Sequence, residues 1–268
     1  MKLITSSDNQ TYKKAARLKQ KKYRDEQNQY LIEGPNLVHE AYKCNIKIEM
    51  VLISEDYRDS GIFPNVQTVK VTSGLFRKLS DTESPQGILA IVNKRAYTEA
   101  EFFAQKTASS NLIVLDRLQD PGNIGTILRT ADAAGFNGAI LIKGTADIFS
   151  PKIVRATAGS LFRLPVFMVE SPKQAIILLK KYGKKIICTA PNCCNNYNDV
   201  DMQNDVAVII GNEGNGVSDE FLIKSDYLVK IPMQGTIESL NAAVSAGILM
   251  YESVRQRYQH GCLERDNS

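Results

Sequence analysis

Histidine is almost missing from this 268-residue chain: His39 and His260 are the only two. The five cysteines form no CxxC pair. Cys193 and Cys194 are adjacent, a poor geometry for bridging one another or for a structural zinc site. Neither a metal centre nor a disulfide-stapled scaffold is expected. No uncharged apolar run reaches the roughly 18 residues that would span a bilayer, so no membrane association is expected. The opening stretch MKLITSSDNQTYKKAARLKQKKYRDEQ has no apolar h-region, so no secretory signal is read there. Together these absences point to a reduced, metal-free, cytoplasmic protein.

What is present is ordinary in bulk and uneven in distribution. An apolar fraction of 43% leaves ample material for cores, and the length allows one large domain or two modest ones. The net charge of +4 is concentrated. Residues 1–30 hold eight basic side chains (Lys2, Lys13, Lys14, Arg17, Lys19, Lys21, Lys22, Arg24) against three acids, so this segment is +5 and the remainder −1. A basic face of this kind is what a phosphate backbone rewards through counterion release. Lys13, Lys14, Arg17, Lys21, Lys22 and Arg24 are therefore candidate RNA contacts, although a solvated helix surface would read the same way.

Two blocks separate near residues 95–110. The first predicts a helix over 36–44, strands over 50–54 and 66–72, a helix over 73–80 and a strand over 87–93. The polar stretch KRAYTEAEFFAQKTASSN reads as a linker or linker helix. The expected division is 1–97, a linker at 98–110, and 111–268. The second block predicts strands over 111–116, 139–143, 185–190, 206–211 and 227–231. Helices fit over 124–134, 152–161, 172–182, 219–224 and 239–258. Near-continuous apolar strands such as VAVII, with helices between them, argue for a parallel sheet covered on both faces. Ligands of such sheets bind beyond the carboxyl ends of the strands, so the loops there are the places to look for chemistry.

Three of those loops stand out. In DRLQDPGNIGTILRTADAAG, Pro121-Gly122 makes a turn, Asn123 is read as the helix N-cap, and Arg129 lies one to two turns further on. Its guanidinium fork suits phosphate or ribose oxygens. IIGNEGNGVSDE packs Gly211, Gly214 and Gly216 around Glu213. This is neither GxGxxG nor a P-loop, and an acid inside the loop repels phosphates. In IPMQGTIESLNAAVSAGILMYE, Ser239 is read as the N-cap of a long helix whose first turns carry small residues. Each loop alone would also fit an ordinary connection; three at the strand ends of one sheet are harder to read that way.

These segments resemble the SpoU/TrmH RNA 2′-O-methyltransferases of the SPOUT superfamily. NIGTILR is similar to the family's first motif, IIGNEGNGV to its second and IPMQGTIESLNAAVSAGI to its third. SPKIVRATAGSLFRLPV also resembles a family segment, placing Arg155 among the RNA-binding candidates. Upstream, YLIEGPNLVHEA and SPQGILAIV look like the family's small substrate-binding domain. The resemblance implies an α/β fold: a ribosomal-protein-like α/β sandwich followed by a parallel-sheet catalytic domain with a deep trefoil knot. It implies S-adenosylmethionine as cofactor, held by Thr189, Gly211, Asn212, Ile231, Met233 and Leu240. It further implies a homodimer, an RNA substrate, ribosomal by preference, and a catalytic surround of Asn123, Arg129, Glu213, Ser239 and Asn241. No metal enters the reaction.

The transfer to a ribose hydroxyl needs alignment and somewhere for a proton to go. A guanidinium with a pKa above about 12 is a poor base, so Arg129 is expected to clamp the target's phosphate and stabilise a developing alkoxide. Asn123 and Asn241 are expected to orient the ribose, and Glu213 to hold Arg129 or accept the proton. Two alternatives stay open: a transfer-RNA 2′-O-methyltransferase, and a non-catalytic RNA-binding or ribosome-assembly protein of the same fold. A Rossmann oxidoreductase would need a third glycine that residues 117–125 do not supply.

Overall fold

The computed structural model describes residues 3–58, 63, 65–104, 109–190, 193–237 and 239–259; Lys2 of the basic segment and His260 lie outside them. The chain divides into two compact units, Met1–Arg95 with Asp147–Arg163, and Ala96–Ala146 with Leu164–Ser268.

The first unit runs β1 (Leu3–Ile4), α1 (Gln10–Arg17), α2 (Lys21–Gln27), β2 (Gln29–Glu33), α3 (Pro35–Lys43), β3 (Ile48–Ser54), β4 (Thr68–Val71), α4 (Ser73–Leu79) and β5 (Ile88–Asn93). The strands form one mixed sheet in the order β1-β4-β3-β5-β2. Alternate residues of a strand face opposite sides, and the two cores follow that period. Tyr30, Ile32, Ile88, Ala90 and Val92 join Val38 and Ala41 of α3 on one face. Leu31, Leu89 and Ile91 join Tyr12 and Ala15 of α1 and Phe76 and Leu79 of α4 on the other.

The second unit begins with α5 (Glu99–Phe103), closed by a capping box between Thr98 and Glu101. Its Phe102 lies in the core of that unit, which makes the helix an integral part of it. Then come β6 (Leu112–Asp116), α6 (Pro121–Ala133) and β7 (Gly138–Ile142). The chain next returns to the first unit for α7 (Pro151–Ala156), where Val154 and Phe162 enter the core beside α3. Asp147 pairs with Arg24 at 2.5 Å, and Arg163 pairs with Glu40. The sequence reading left this segment with residues 111–268; its apolar side chains instead complete the sandwich of the first unit.

The remaining elements are β8 (Val166–Val169), α8 (Pro172–Lys181), β9 (Lys185–Thr189), β10 (Asn195–Asn196), β11 (Val206–Gly211), α9 (Asp219–Lys224), β12 (Tyr227–Lys230) and α10 (Ala242–Gln259). The seven-stranded sheet has the order β10-β12-β9-β11-β6-β7-β8, and every pairing in it is parallel. Helices α8 and α9 bury Leu179 and Phe221 on one face. Helices α6 and α10 pack on each other, with contacts to β7 and β11 respectively. Strand β8 is not foreseen from sequence because only Val169 of its four residues is buried. A buried amide locks the sheet: Asn111 donates to Met202 O, Gln203 O and Ser253 Oγ, and accepts from Val206 N. A fully satisfied polar group of this kind fixes register where apolar packing alone would tolerate slippage.

Candidate active site

Strand β6 ends in Asp116, whose carboxylate is fully buried and accepts the Ser218 N–H at 2.7 Å. The helix that follows is capped by Asp120, not by Asn123 as its sequence suggests. Pro121 occupies the first helical position, and the Asp120 side chain accepts Asn123 N at 2.7 Å. Asn123 thus sits three residues inside, with its amide released for other work.

Its partner comes from the second loop. Gly211 closes β11, and a Cβ there would lie 2.2 Å from the Gly216 carbonyl carbon and the Val217 nitrogen. Only glycine allows the chain to fold back on its own strand end, where Asn212 and Gly216 exchange both backbone hydrogen bonds. The Asn212 side chain ties the turn internally through Gly214 N and Asn215 N, and outward to Arg117 O. The turn presents Glu213 to the first loop, where its carboxylate accepts Gln119 N, Asp120 N and Asn123 Nδ2, all at 3.1 Å. Burial pushes the Glu213 carboxyl up, yet these donors and its own backbone together hold it below the ordinary glutamate range.

The third loop reaches the same amide. Asn241 Nδ2 donates to Asn123 Oδ1 at 2.9 Å. The Asn241 side-chain oxygen accepts Ala243 N and Val244 N, so Asn241 caps α10 and Ser239, which is exposed, does not. Glu213, Asn123 and Asn241 therefore form one hydrogen-bonded line that welds the three loops.

Several expected roles change. Arg129 is exposed on α6 and makes no hydrogen bond or ion pair among the described residues, so Glu213 does not hold it. Glu213 is bracketed by three N–H donors that favour its charged form, and what it holds here is the first loop. The Asn123 carbonyl oxygen accepts from Asn241 and the Asn241 carbonyl oxygen accepts from the α10 cap, leaving one side-chain N–H each for a ligand. Gln119, Asp120 and Asp116 were missed as site residues. The signal for Asp120 was Pro121 beside it; the other two are visible only through their partners.

The cofactor candidates gather at one edge. Thr189, Gly211 and Ile231 stand at or just after the ends of β9, β11 and β12, which are neighbours in the sheet. Met233 and Leu240 are half-buried. Residues 233–237 make no backbone–backbone hydrogen bond among the described residues.

The RNA candidates lie in the first unit. Lys21 and Lys22 of α2 and Arg17 of α1 are exposed; Lys13 pairs with Asp8 at 2.8 Å and Lys14 with Glu49 at 3.9 Å. Arg155 pairs with Asp81 at 3.1 Å. Arg24 is not part of this face. It is 4% exposed and its guanidinium is consumed by Asp147, Leu18 O and Lys19 O.

The comparisons fit this arrangement. A profile of the SpoU rRNA Methylase family matches residues 110–251, and one of the MRM3-like substrate binding domain matches residues 9–90. The chain belongs to the SpoU rRNA methylase family. It is a methyltransferase with an N-terminal substrate-binding domain. The Bacillus subtilis 23S rRNA (guanosine(2553)-2′-O)-methyltransferase is 37% identical, covering 94% of this chain and 98% of that one. The AdoMet-bound rRNA methyltransferase structure from Sinorhizobium meliloti superposes with a TM-score of 0.84 at 30% identity, covering 95% and 98% of the two chains. The SpoU methyltransferase AviRb from Streptomyces viridochromogenes, in complex with AdoMet, gives 0.83 at 29% identity over 93% and 98%.

Proposed function

We propose that this protein transfers a methyl group from S-adenosylmethionine to a ribose 2′-hydroxyl of ribosomal RNA. The observation that carries the reading is the Glu213–Asn123–Asn241 line, which ties the three motif loops together, with Arg129 exposed further along the helix that bears Asn123. The Bacillus relative makes guanosine 2553 of 23S rRNA the first position to examine.

S-adenosylmethionine, when bound, supplies the methyl group as an electrophile on a sulfonium. Thr189, Gly211, Asn212, Ile231, Met233 and Leu240 would hold it. The chain's own contribution is placement. The welded loops keep the two remaining amide N–H groups of Asn123 and Asn241 in fixed positions, which is worth several kcal/mol of barrier, up to about 7–11 in ideal cases. Arg129 clamps the target's phosphate and stabilises negative charge developing on the ribose oxygen. Ser239, exposed beside Leu240, completes the rim.

We assign RNA recognition to the first unit, with Lys13, Lys14, Arg17, Lys21, Lys22 and Arg155 as its contacts, and methyl transfer to the second. The reading includes a homodimer. On α10, Val244, Tyr251 and Tyr258 are each at least half exposed and follow one another at intervals of seven, an apolar stripe suited to a twofold partner. The reading also includes a cytoplasmic location, drawn from the sequence composition, and a knotted catalytic chain, implied by the family resemblance.

The test is a map of 2′-O-methylation in a deletion strain, together with single-turnover transfer by the purified protein on an unmodified 23S transcript. Loss of one ribosomal methylation, restored by wild type and not by Arg129→Ala, supports the reading. Arg129→Ala should slow transfer by about two powers of ten while S-adenosylmethionine still raises the melting temperature. A methylation lost from transfer RNA alone would move the substrate, and no loss anywhere would favour the non-catalytic alternative.

A further inference from the structure

Arg117 follows directly on β6, and its backbone lies in the left-handed region at φ +60°. A bulky L residue adopts that conformation only where its surroundings impose it. Here they do. The Arg117 carbonyl accepts Asn212 Nδ2 at 2.8 Å and Gln119 Nε2 at 3.1 Å, so the second motif loop and the first both grip it. Gln119 also donates to Gly144 O, which ties the end of β6 to the loop after β7.

The side chain is aimed as firmly. Its stem lies against Gly144, where a Cβ would come within 3.2 Å of Arg117 Cγ. Nε donates to the fully buried Asp116 at 2.9 Å, yet the Arg117 side chain remains 44% exposed. Nη1 and Nη2 make no hydrogen bond among the described residues. A guanidinium has five N–H donors in a rigid fork, so four are presented outward from a side chain already held at its base.

The direction decides the ligand. Strand β6 stands between β11 and β7, and the residues assigned to S-adenosylmethionine lie on β9, β11 and β12 or just after them. The Arg117 stem packs the opposite way, against Gly144 in the loop after β7. We propose that Arg117 is a second phosphate contact for the RNA substrate, gripping the backbone beside the target nucleotide on the β7 side while Arg129 serves the target itself. This inference rests on the methyltransfer reading above and adds a positioning residue to it.

The experiment measures binding of an unmodified 23S transcript by the full-length protein across a salt series, with S-adenosylmethionine binding by calorimetry alongside. Arg117→Asn removes the fork and still tolerates the left-handed backbone; Arg117→Lys keeps the charge. Expected is a roughly tenfold loss of RNA affinity for Arg117→Asn, with the slope of log affinity against log salt reduced by about one. The slope should be retained in Arg117→Lys, and cofactor affinity should be unchanged in both. A purely structural Arg117 would lower the melting temperature and leave the salt slope of the folded fraction where it was, which overturns the proposal. Weakened cofactor binding at unchanged RNA affinity would assign the fork to the cofactor's carboxylate and overturn it too. If wild type binds no S-adenosylmethionine, the functional reading falls and takes this inference with it.

Discussion

Gly211 carries a severe steric demand at the end of β11. A methyl group there meets backbone atoms of Gly216 and Val217 at 2.2 Å, and backbone cannot swing aside as a flexible side chain does. Gly211→Ala should cost about 3 kcal/mol or more and abolish the melting-temperature rise given by S-adenosylmethionine, both read by thermal unfolding. Glu213 makes a different kind of prediction. Its carboxyl is held below the ordinary glutamate range, so the folded state binds its proton less readily than the unfolded chain. That contribution is present above the unfolded-state pKa and is lost as pH falls through the depressed folded-state value. Glu213→Gln should therefore melt below wild type at neutral pH, with the gap closing as the buffer is taken below the ordinary glutamate range. A gap constant down to pH 3 would show that the carboxylate's charge does not matter. Cys188 has its thiol pushed up to about 12, chiefly by burial. It should stay silent to thiol reagents in the native protein, whereas the exposed Cys194 reacts.

Among the elements, α6 and α10 pack on each other and are tied at the active site by an amide pair. Asn241 caps α10 and donates to Asn123 in α6, so one side chain both starts a helix and joins two motif loops. Asn241→Ala should cost about 1–2 kcal/mol, combining a lost cap with a lost half-buried hydrogen bond. Combined with Asn123→Ala, the two losses should fall short of additive, because either change alone breaks the same line. Full additivity in urea unfolding would mean that the loops are held by something else. Helix α7 teaches a complementary lesson: a short helix far along the chain supplies Val154 to the core of the first unit.

At the scale of the whole molecule, the first 30 residues serve as both surface and core. Tyr12, Ala15 and Leu18 are buried, and Arg24 is locked to Asp147. Deleting the segment would therefore unfold the unit it belongs to and say nothing about RNA. Replacing Lys13, Lys14, Arg17, Lys21 and Lys22 by Gln removes the charge alone. Stability should move by no more than about 0.5 kcal/mol per site, while RNA affinity falls and its salt dependence flattens. An unchanged salt slope would leave this face as plain solvated surface. The exposed stripe on α10 gives the other molecular test. Tyr251→Glu should convert a particle of twice the chain mass in light scattering into one of the chain mass.

The sequence by itself determined the alternation of strands and helices in the second block and the three motif loops at its strand ends, but not Asp116, Gln119 or Asp120, which join those loops. Apolar runs such as VAVII with helices between them argued for strands covered on both faces, and glycine clusters at their ends marked where a ligand could approach. The three motif segments carried the family, and Arg129, Glu213 and Asn241 were named from them. Partnership was decided only by the tertiary structure. Arg24 and Lys22 look alike in a basic stretch, yet one is buried against Asp147 and the other is exposed, because helix α2 turns a single face to the rest of its unit. Asn123 and Ser239 both follow the local pattern of helix caps, but Asp120 and Asn241 hold those positions, since Pro121 and the path of the third loop set where each helix begins. The return of residues 147–163 to the first sheet was equally hidden, because burial depends on neighbours more than a hundred residues away in sequence and no local period records them.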